Sequence, residues 1–249
     1  MTAKVLDGIP FDELNPRKAV AWIVERVRQG HGGYVCTPNV DYVVRARRHP
    51  AFRSAILDAT LRLPDGKGVI IGSIIAGAGP RIGVTGRRLP VAVARALTAD
   101  KRVVALFGAG PGIAELAADA ITGTGGVVCD AFGPGRPFRV GSDEDVAAVA
   151  RLKAAQPDVI FCALGAPTQE LWMAAHHDEL APAVLVGVGA AFDVMSGRMP
   201  EPPRWATEIG VEWLFRLARE PRRLARRYLW DDPRFFWWML QARLRGTGG

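Results

Sequence analysis

The sequence predicts an α/β fold, a Rossmann-like and mainly parallel sheet with helices on both faces, followed by a basic helical appendage. Three observations carry that expectation. Short β-rich runs alternate with stretches of helical composition along most of the chain, the βαβα order that builds a parallel sheet. All the runs but Leu61-Arg62-Leu63 are apolar throughout, as strands covered on both faces are. After about Pro200 the strand-like runs stop, and arginine, tryptophan and proline take over.

In chain order, a helical stretch from Pro16 to Arg28 precedes the first run, Tyr34-Val35-Cys36, and Leu61-Arg62-Leu63 is the second. Helical stretches at Leu89 to Ala99, Ile113 to Ile121, Glu144 to Ala155 and Gln169 to Glu179 then lead to Val103–Phe107, Val127–Cys129, Val159–Cys162 and Val184–Val186. All six runs read as buried strands. Residues 1–199 form the α/β core on this reading, and residues 200–249 the appendage. Ligands of such sheets sit beyond the carboxyl ends of the strands. The loops to inspect are therefore Thr37-Pro38-Asn39, Pro64-Asp65-Gly66, Gly108 to Gly112, Gly165 to Glu170 and Gly187 to Asp193.

Composition narrows the class. A chain of 249 residues, 49% hydrophobic, can bury one sizeable core. Its net charge of +7 favours an anionic partner: nucleic acid, a phosphorylated substrate or an acidic membrane. Cys36, Cys129 and Cys162 are too scattered for a disulfide framework or a zinc site. The start of the chain lacks a basic head followed by an apolar stretch, and no apolar run approaches the ~20 residues of a membrane span. A cytoplasmic protein is expected. The histidines show no metal-type spacing, and neither a Gly-x-Ser-x-Gly elbow nor a Walker lysine is present.

Each loop has an ordinary reading beside a chemical one. Gly108-Ala109-Gly110-Pro111-Gly112 leaves a strand and opens a helix, so its backbone N–H groups suit a diphosphate, or it is simply a tight turn. Asp130, ending the next strand, stands where a dinucleotide site keeps its ribose-binding acid, although Ile113 occupies the third small position of that fingerprint. Asp65 is either a turn aspartate or a carboxylate aimed into the crevice. Asn39 can cap the helix that follows it, and Glu170 can serve as a first-turn acid matched to the helix dipole.

Read together and in order, Thr37-Pro38-Asn39, Pro64-Asp65-Gly66-Lys67-Gly68, Leu164 to Glu170, Gly187 to Asp193 and Gly210 to Leu217 resemble the WecG/TagA/CpsF family of glycosyltransferases, over about Val5 to Tyr228. The resemblance implies transfer of N-acetylmannosamine or a related hexose from a UDP-sugar donor to a polyprenyl-diphosphate-linked acceptor, during teichoic acid or other surface polysaccharide assembly. It implies inversion, no metal and no cofactor. By position it makes Asp65 the general base and places Thr37, Asn39 and Gln169 around the sugar. Gly187, Gly189 and Asp193 fall at the nucleotide, and Arg216, Arg223 and Arg226 at the diphosphate.

Two segments depart from the family's pattern. An arginine usual before Val-Thr-Gly and an aspartate after it are missing from Gly83-Val84-Thr85-Gly86-Arg87-Arg88, and the usual basic-Ala-Pro segment reads Pro200-Glu201-Pro202-Pro203.

The appendage adds a location. Its arginines suit anionic lipid, while Trp230, Phe235, Phe236, Trp237 and Trp238 suit the headgroup boundary, which places the protein peripherally on the inner face of the cell membrane. The same aromatic cluster also fits the interface of a homo-oligomer. Two rivals remain: an NAD-dependent nucleotide-sugar dehydrogenase or epimerase, resting on Gly108, Gly110 and Asp130, and a nucleic-acid-binding module, resting on the arginine-rich end. Neither accounts for the ordered strand-end loops, so no nucleic-acid partner is expected.

Overall fold

The computed structural model describes residues 3–135, 137–201, 206, 212–219 and 221–246. Its first element is a hairpin, β1 Ala3–Leu6 paired antiparallel with β2 Ile9–Asp12. Asp7 and Gly8, both at positive φ, make the two-residue turn, whose twist matches that of the flanking strands.

The main sheet contains β3 Gly33–Cys36, β4 Leu61–Arg62, β5 Val103–Gly108, β6 Val127–Phe132, β7 Val159–Ala163 and β8 Val184–Gly187. These are the six runs expected from sequence. All neighbours are parallel, in the order β4-β3-β8-β7-β5-β6. The four inner strands are almost entirely enclosed, whereas β6 lies at an edge with Val127 exposed. The expectation of a fully buried strand there fails because an edge strand has a neighbour on one side only.

Helices α1 Pro16–Arg28, α5 Leu89–Leu97, α6 Ile113–Thr122 and α9 Ala191–Met195 contribute side chains to the core on one face of the sheet. Those of α7 Asp143–Ala155 and α8 Thr168–His176 pack on the other. Local chemistry sets the starts. Asn15 accepts the Lys18 N–H ahead of Pro16 at the first turn of α1, and Ser142 accepts the Asp145 N–H ahead of three acids in the first turn of α7.

A third apolar cluster joins the hairpin to α2 Val40–Ala46, α3 Pro50–Leu57, α4 Lys67–Ala76 and the last helix. After the sheet the chain forms α10 Glu212–Arg219, α11 Pro221–Arg226, a π-helical turn Arg227–Asp231 and α12 Asp232–Leu244. Phe235 and Met239 of α12 are buried against α4, where a side chain on Gly72 would strike the Phe235 ring. Phe235 thus belongs to the core, while Trp237 on the opposite side of the helix is 57% exposed.

Candidate active site

The loops that leave β3, β4 and β8 meet the start of α8, and their contacts run in one unbroken series. Asp65 follows β4. Its N–H donates to Pro38 O at 3.0 Å, and one carboxylate oxygen accepts the Gly86 N–H at 3.0 Å. Gly66, at φ +79, turns the chain straight into α4. Gly86 belongs to a 3₁₀ turn, Gly86–Arg88, where an added Cβ would press on the Thr37 side chain. The buried Thr37 hydroxyl in turn donates to Gly187 O at 3.2 Å.

Gly187 marks a close approach. A Cβ there would collide with Gln169 Nε2 and Met173 Cε, so the missing side chain lets the Gln169 carboxamide lie on the end of β8. Gln169 Oε1 accepts the Gly189 N–H at 3.1 Å, and Nε2 donates to Glu170 Oε1 at 2.7 Å and to the Tyr42 hydroxyl at 3.4 Å. Tyr42 donates its own proton to Glu170 Oε1 at 2.6 Å. The Tyr42 backbone N–H reaches back to Asn39 Oδ1 at 3.4 Å, the N-cap of α2. Thr37, Asn39, Asp65, Gln169, Gly187 and Gly189 are therefore gathered in one place. Asn39 and Asp65 are partly exposed, whereas Gln169 and Glu170 are fully buried.

Burial pushes the Glu170 carboxyl up to about 7, against the opposing pull of its bonds from Tyr42 and Gln169. Tyr42 is held well above its ordinary value by burial and by the neighbouring carboxyl. Neither Tyr42 nor Gly86 stood out in the sequence, and Glu170 read there as a first-turn acid.

Other expected residues lie outside this hydrogen-bonded series. Gly108 ends β5, one strand beyond β7, and Gly110 follows it. A Cβ on Gly108 would strike the Ala163 backbone, and Ala109 donates its N–H to Ala163 O at 2.8 Å. A cleft of ≈ 430 Å³ opens beside this loop, lined by Ala109, Pro134, Phe138, Leu164 and Thr168. Asp193 sits on α9, which packs against the Gly86–Arg88 turn; its carbonyl accepts the Met199 N–H at 2.7 Å. Arg226 is exposed, with Nε 4.0 Å from Asp231. The side chains of Arg216 and Arg223 lie outside the described residues, as do residues 202–205 and 207–211.

The altered segments meet each other: Arg88 pairs with Glu201 at 2.8 Å, and Arg87 approaches the same carboxylate at 3.8 Å. Asp130, the acid a dinucleotide site would use, is engaged by Arg151 through both oxygens at 2.7 and 2.8 Å. Among the described residues, no group of three His, Cys, Asp or Glu side chains could hold a metal ion.

A parallel sheet whose strand ends gather a carboxylate, a hydroxyl and amides around glycine loops has the layout of an enzyme site. The profile of the glycosyl transferase WecG/TagA/CpsF family matches residues 3–248, and the chain belongs to that family; it is a glycosyltransferase of the hexose-transferring kind. A Bacillus spizizenii protein named N-acetylglucosaminyldiphosphoundecaprenol N-acetyl-beta-D-mannosaminyltransferase is 29% identical over 80% of this chain and 76% of its own length. A Bacillus subtilis protein of the same name is 25% identical, over 91% of this chain and 87% of its own.

Proposed function

We propose that this enzyme moves N-acetylmannosamine or a closely related hexose from a UDP-sugar to a polyprenyl-diphosphate-linked N-acetylglucosamine, with inversion and without a metal, at the cytoplasmic face of a membrane. One observation carries the reading: the series from Asp65 through Gly86, Thr37 and Gly187 to Gln169, in a chain whose relatives are named for that transfer. The polymer under assembly is teichoic acid or another surface polysaccharide.

Inversion requires a single in-line displacement, in which the acceptor hydroxyl attacks the anomeric carbon as UDP departs from the opposite face. Asp65 takes the hydroxyl proton. The Gly86 N–H holds one of its oxygens and leaves the group partly exposed at the strand end. A placed base contributes roughly 10²–10⁴-fold. Thr37 and Asn39 line the sugar pocket, and Gln169 shapes it by holding the Gly187–Gly189 loop. Gly108, Gly110 and Asp193 approach the nucleotide. The departing diphosphate gains charge, and Arg216, Arg223 and Arg226 of residues 200–249 meet it with planar, always-charged donors.

Residues 200–249 also carry the membrane contact. The outward stripe of α12 contains Trp237, Leu240 and Leu244, and the adjacent α4 exposes Ile71 and Ile74. Arg243 bridges the two helices through Ile74 O. Apolar residues beside arginines suit the boundary of an anionic bilayer, and no described helix is long and apolar enough to cross one.

The test is UDP release with a panel of UDP-sugars and the polyprenyl-linked acceptor, with chelator present. Transfer under chelator supports the reading; transfer that appears only when a divalent metal is restored, or no transfer at all, removes it. Liposome flotation compared with sedimentation of the free protein distinguishes a lipid face from a self-association face.

A further inference from the structure

The enclosure around Glu170 leaves the Gln169 carboxamide one orientation. Gly189 presents an N–H, so Oε1 must face the β8 loop and Nε2 must face an acceptor. Glu170 Oε1 is that acceptor, and it also takes the Tyr42 hydroxyl proton. Glu170 Oε2 has no hydrogen-bond partner among the described residues. A glutamine at this position would offer the same accepting oxygen, but its NH2 would lie where Oε2 now has no partner. A fully buried carboxyl held only by neutral donors beside a candidate site is the pattern of functional positions.

We propose that Glu170 is a positioning residue of the transfer reaction: it touches no substrate, and by locking Gln169 and Tyr42 it sets the Gly187–Gly189 loop against the Asn39-capped start of α2. This rests on the transfer proposed above. The lock joins three elements, because Gln169 and Glu170 open α8, Gly189 follows β8 and Tyr42 lies on α2. It is tightest when Glu170 is ionised, since a carboxylate accepts more strongly than a carboxylic acid.

The groups facing Glu170 are Tyr34 and Cys36 of β3, Tyr42 and Arg45 of α2, and Cys162 of β7. Arg45 is the cation of this set, and its Nε is already paired with Asp41 at 2.8 Å. With the carboxyl pushed up to about 7, the lock changes strength near neutral pH.

The experiment compares wild type, Glu170→Gln and Glu170→Ala as full chains. Donor KM and kcat are followed from about pH 5.5 to about 8.5, with UDP-N-acetylmannosamine and polyprenyl-diphosphate-linked N-acetylglucosamine. NMR signals of the Gln169 side-chain amide are recorded in parallel. In wild type, donor KM falls as pH rises through about 7 while kcat changes little. Glu170→Gln keeps the fold and loses that dependence; Glu170→Ala raises donor KM on the order of tenfold. The same pH profile of KM in Glu170→Gln as in wild type overturns the proposal. Absence of transfer in wild type defeats the reaction itself, and the amide signals then decide the lock. A shift across neutral pH that Glu170→Gln abolishes supports it, and signals that neither pH nor substitution moves overturn it. Should Glu170→Ala fail to fold, Glu170→Gln carries the decision.

Discussion

Two glycine-bearing strand ends, after β5 and after β8, look alike in sequence and differ in what the missing side chain accommodates. At Gly108 the neighbour is the Ala163 backbone, so the glycine serves the closeness of two strands. At Gly187 the neighbours are Gln169 Nε2 and Met173, so the glycine makes room for a polar side chain that holds the next turn of its own loop. The β8 end is thereby tied through hydrogen bonds to Thr37 and Gln169, whereas the β5 end borders an open cleft. A glycine in a strand-end loop acquires its meaning from what approaches it, and the spacing of glycines alone does not distinguish the two cases.

The largest effect that would break this contrast is chemical. Asp65→Asn should lower transfer by roughly 10²–10⁴-fold while UDP affinity and thermal midpoint stay near wild type, because only proton acceptance is lost. Turnover close to wild type would detach the β8-side cluster from catalysis and leave it a structural knot.

A second measurement uses pH. The folded Glu170 carboxyl is raised from 4.5 to about 7, so between those values the native state binds more protons than the unfolded chain. Stability from this group is therefore fully present below about 4.5, and it is lost as pH rises through about 7. Glu170→Gln removes the loss. The variant should gain on wild type by about 3 kcal/mol between denaturant titrations at acid and at mildly alkaline pH. A constant difference between the two proteins across that range would contradict the burial assigned to Glu170.

Two glycine substitutions separate the loops by their effect on the fold. Gly187→Ala should cost about 1–3 kcal/mol, since the methyl must displace Gln169 in a packed site. Gly110→Ala should cost less than about 0.5 kcal/mol, because its methyl meets only Ile113 Cδ1 at 3.4 Å. If the β5 loop cradles the diphosphate, the same Gly110 variant weakens UDP binding several-fold without weakening the fold. Unchanged UDP affinity would make that loop an ordinary turn.

Much of this was legible in the residues. All six sheet strands fall where β-rich runs stand between helical stretches; Thr37, Asn39 and Asp65 lie in strand-end loops, and Gln169 opens the helix after one. The β1–β2 hairpin is not among the expected strands, although Asp7-Gly8 between apolar residues is a strong turn signal. Glu170 does stand in the first turn of α8, as expected, but its burial depends on Tyr42, 128 residues away, and no local pattern reports such a partner. The same holds for Phe235, grouped by sequence with exposed tryptophans. Helical phase separates it from Trp237 by about 200°, but only the presence of α4 decides which side is the inside.

That phase difference gives the smallest predicted effect and the most selective one. Trp237 faces away from the buried Phe235 and is largely exposed, whereas Trp238 carries the Arg47 guanidinium 4.0 Å above its ring. Replacing Trp237 with serine removes a mostly exposed indole and little packing, so the thermal midpoint should correspond to a change within about 0.5 kcal/mol. Transfer to a short, water-soluble acceptor should be unaltered, because the residue serves location and not chemistry. Retention on anionic liposomes should fall, since an indole at the headgroup boundary contributes to binding through its amphipathic ring. Trp238→Ser is the internal control: it loses the cation–π contact with Arg47, worth roughly 0.5–1 kcal/mol at such a site, and should alter stability more than lipid retention. If Trp237→Ser leaves liposome binding intact and instead changes the sedimentation of the free protein, the outer stripe of α12 meets another copy of the chain, and the membrane contact must be sought elsewhere.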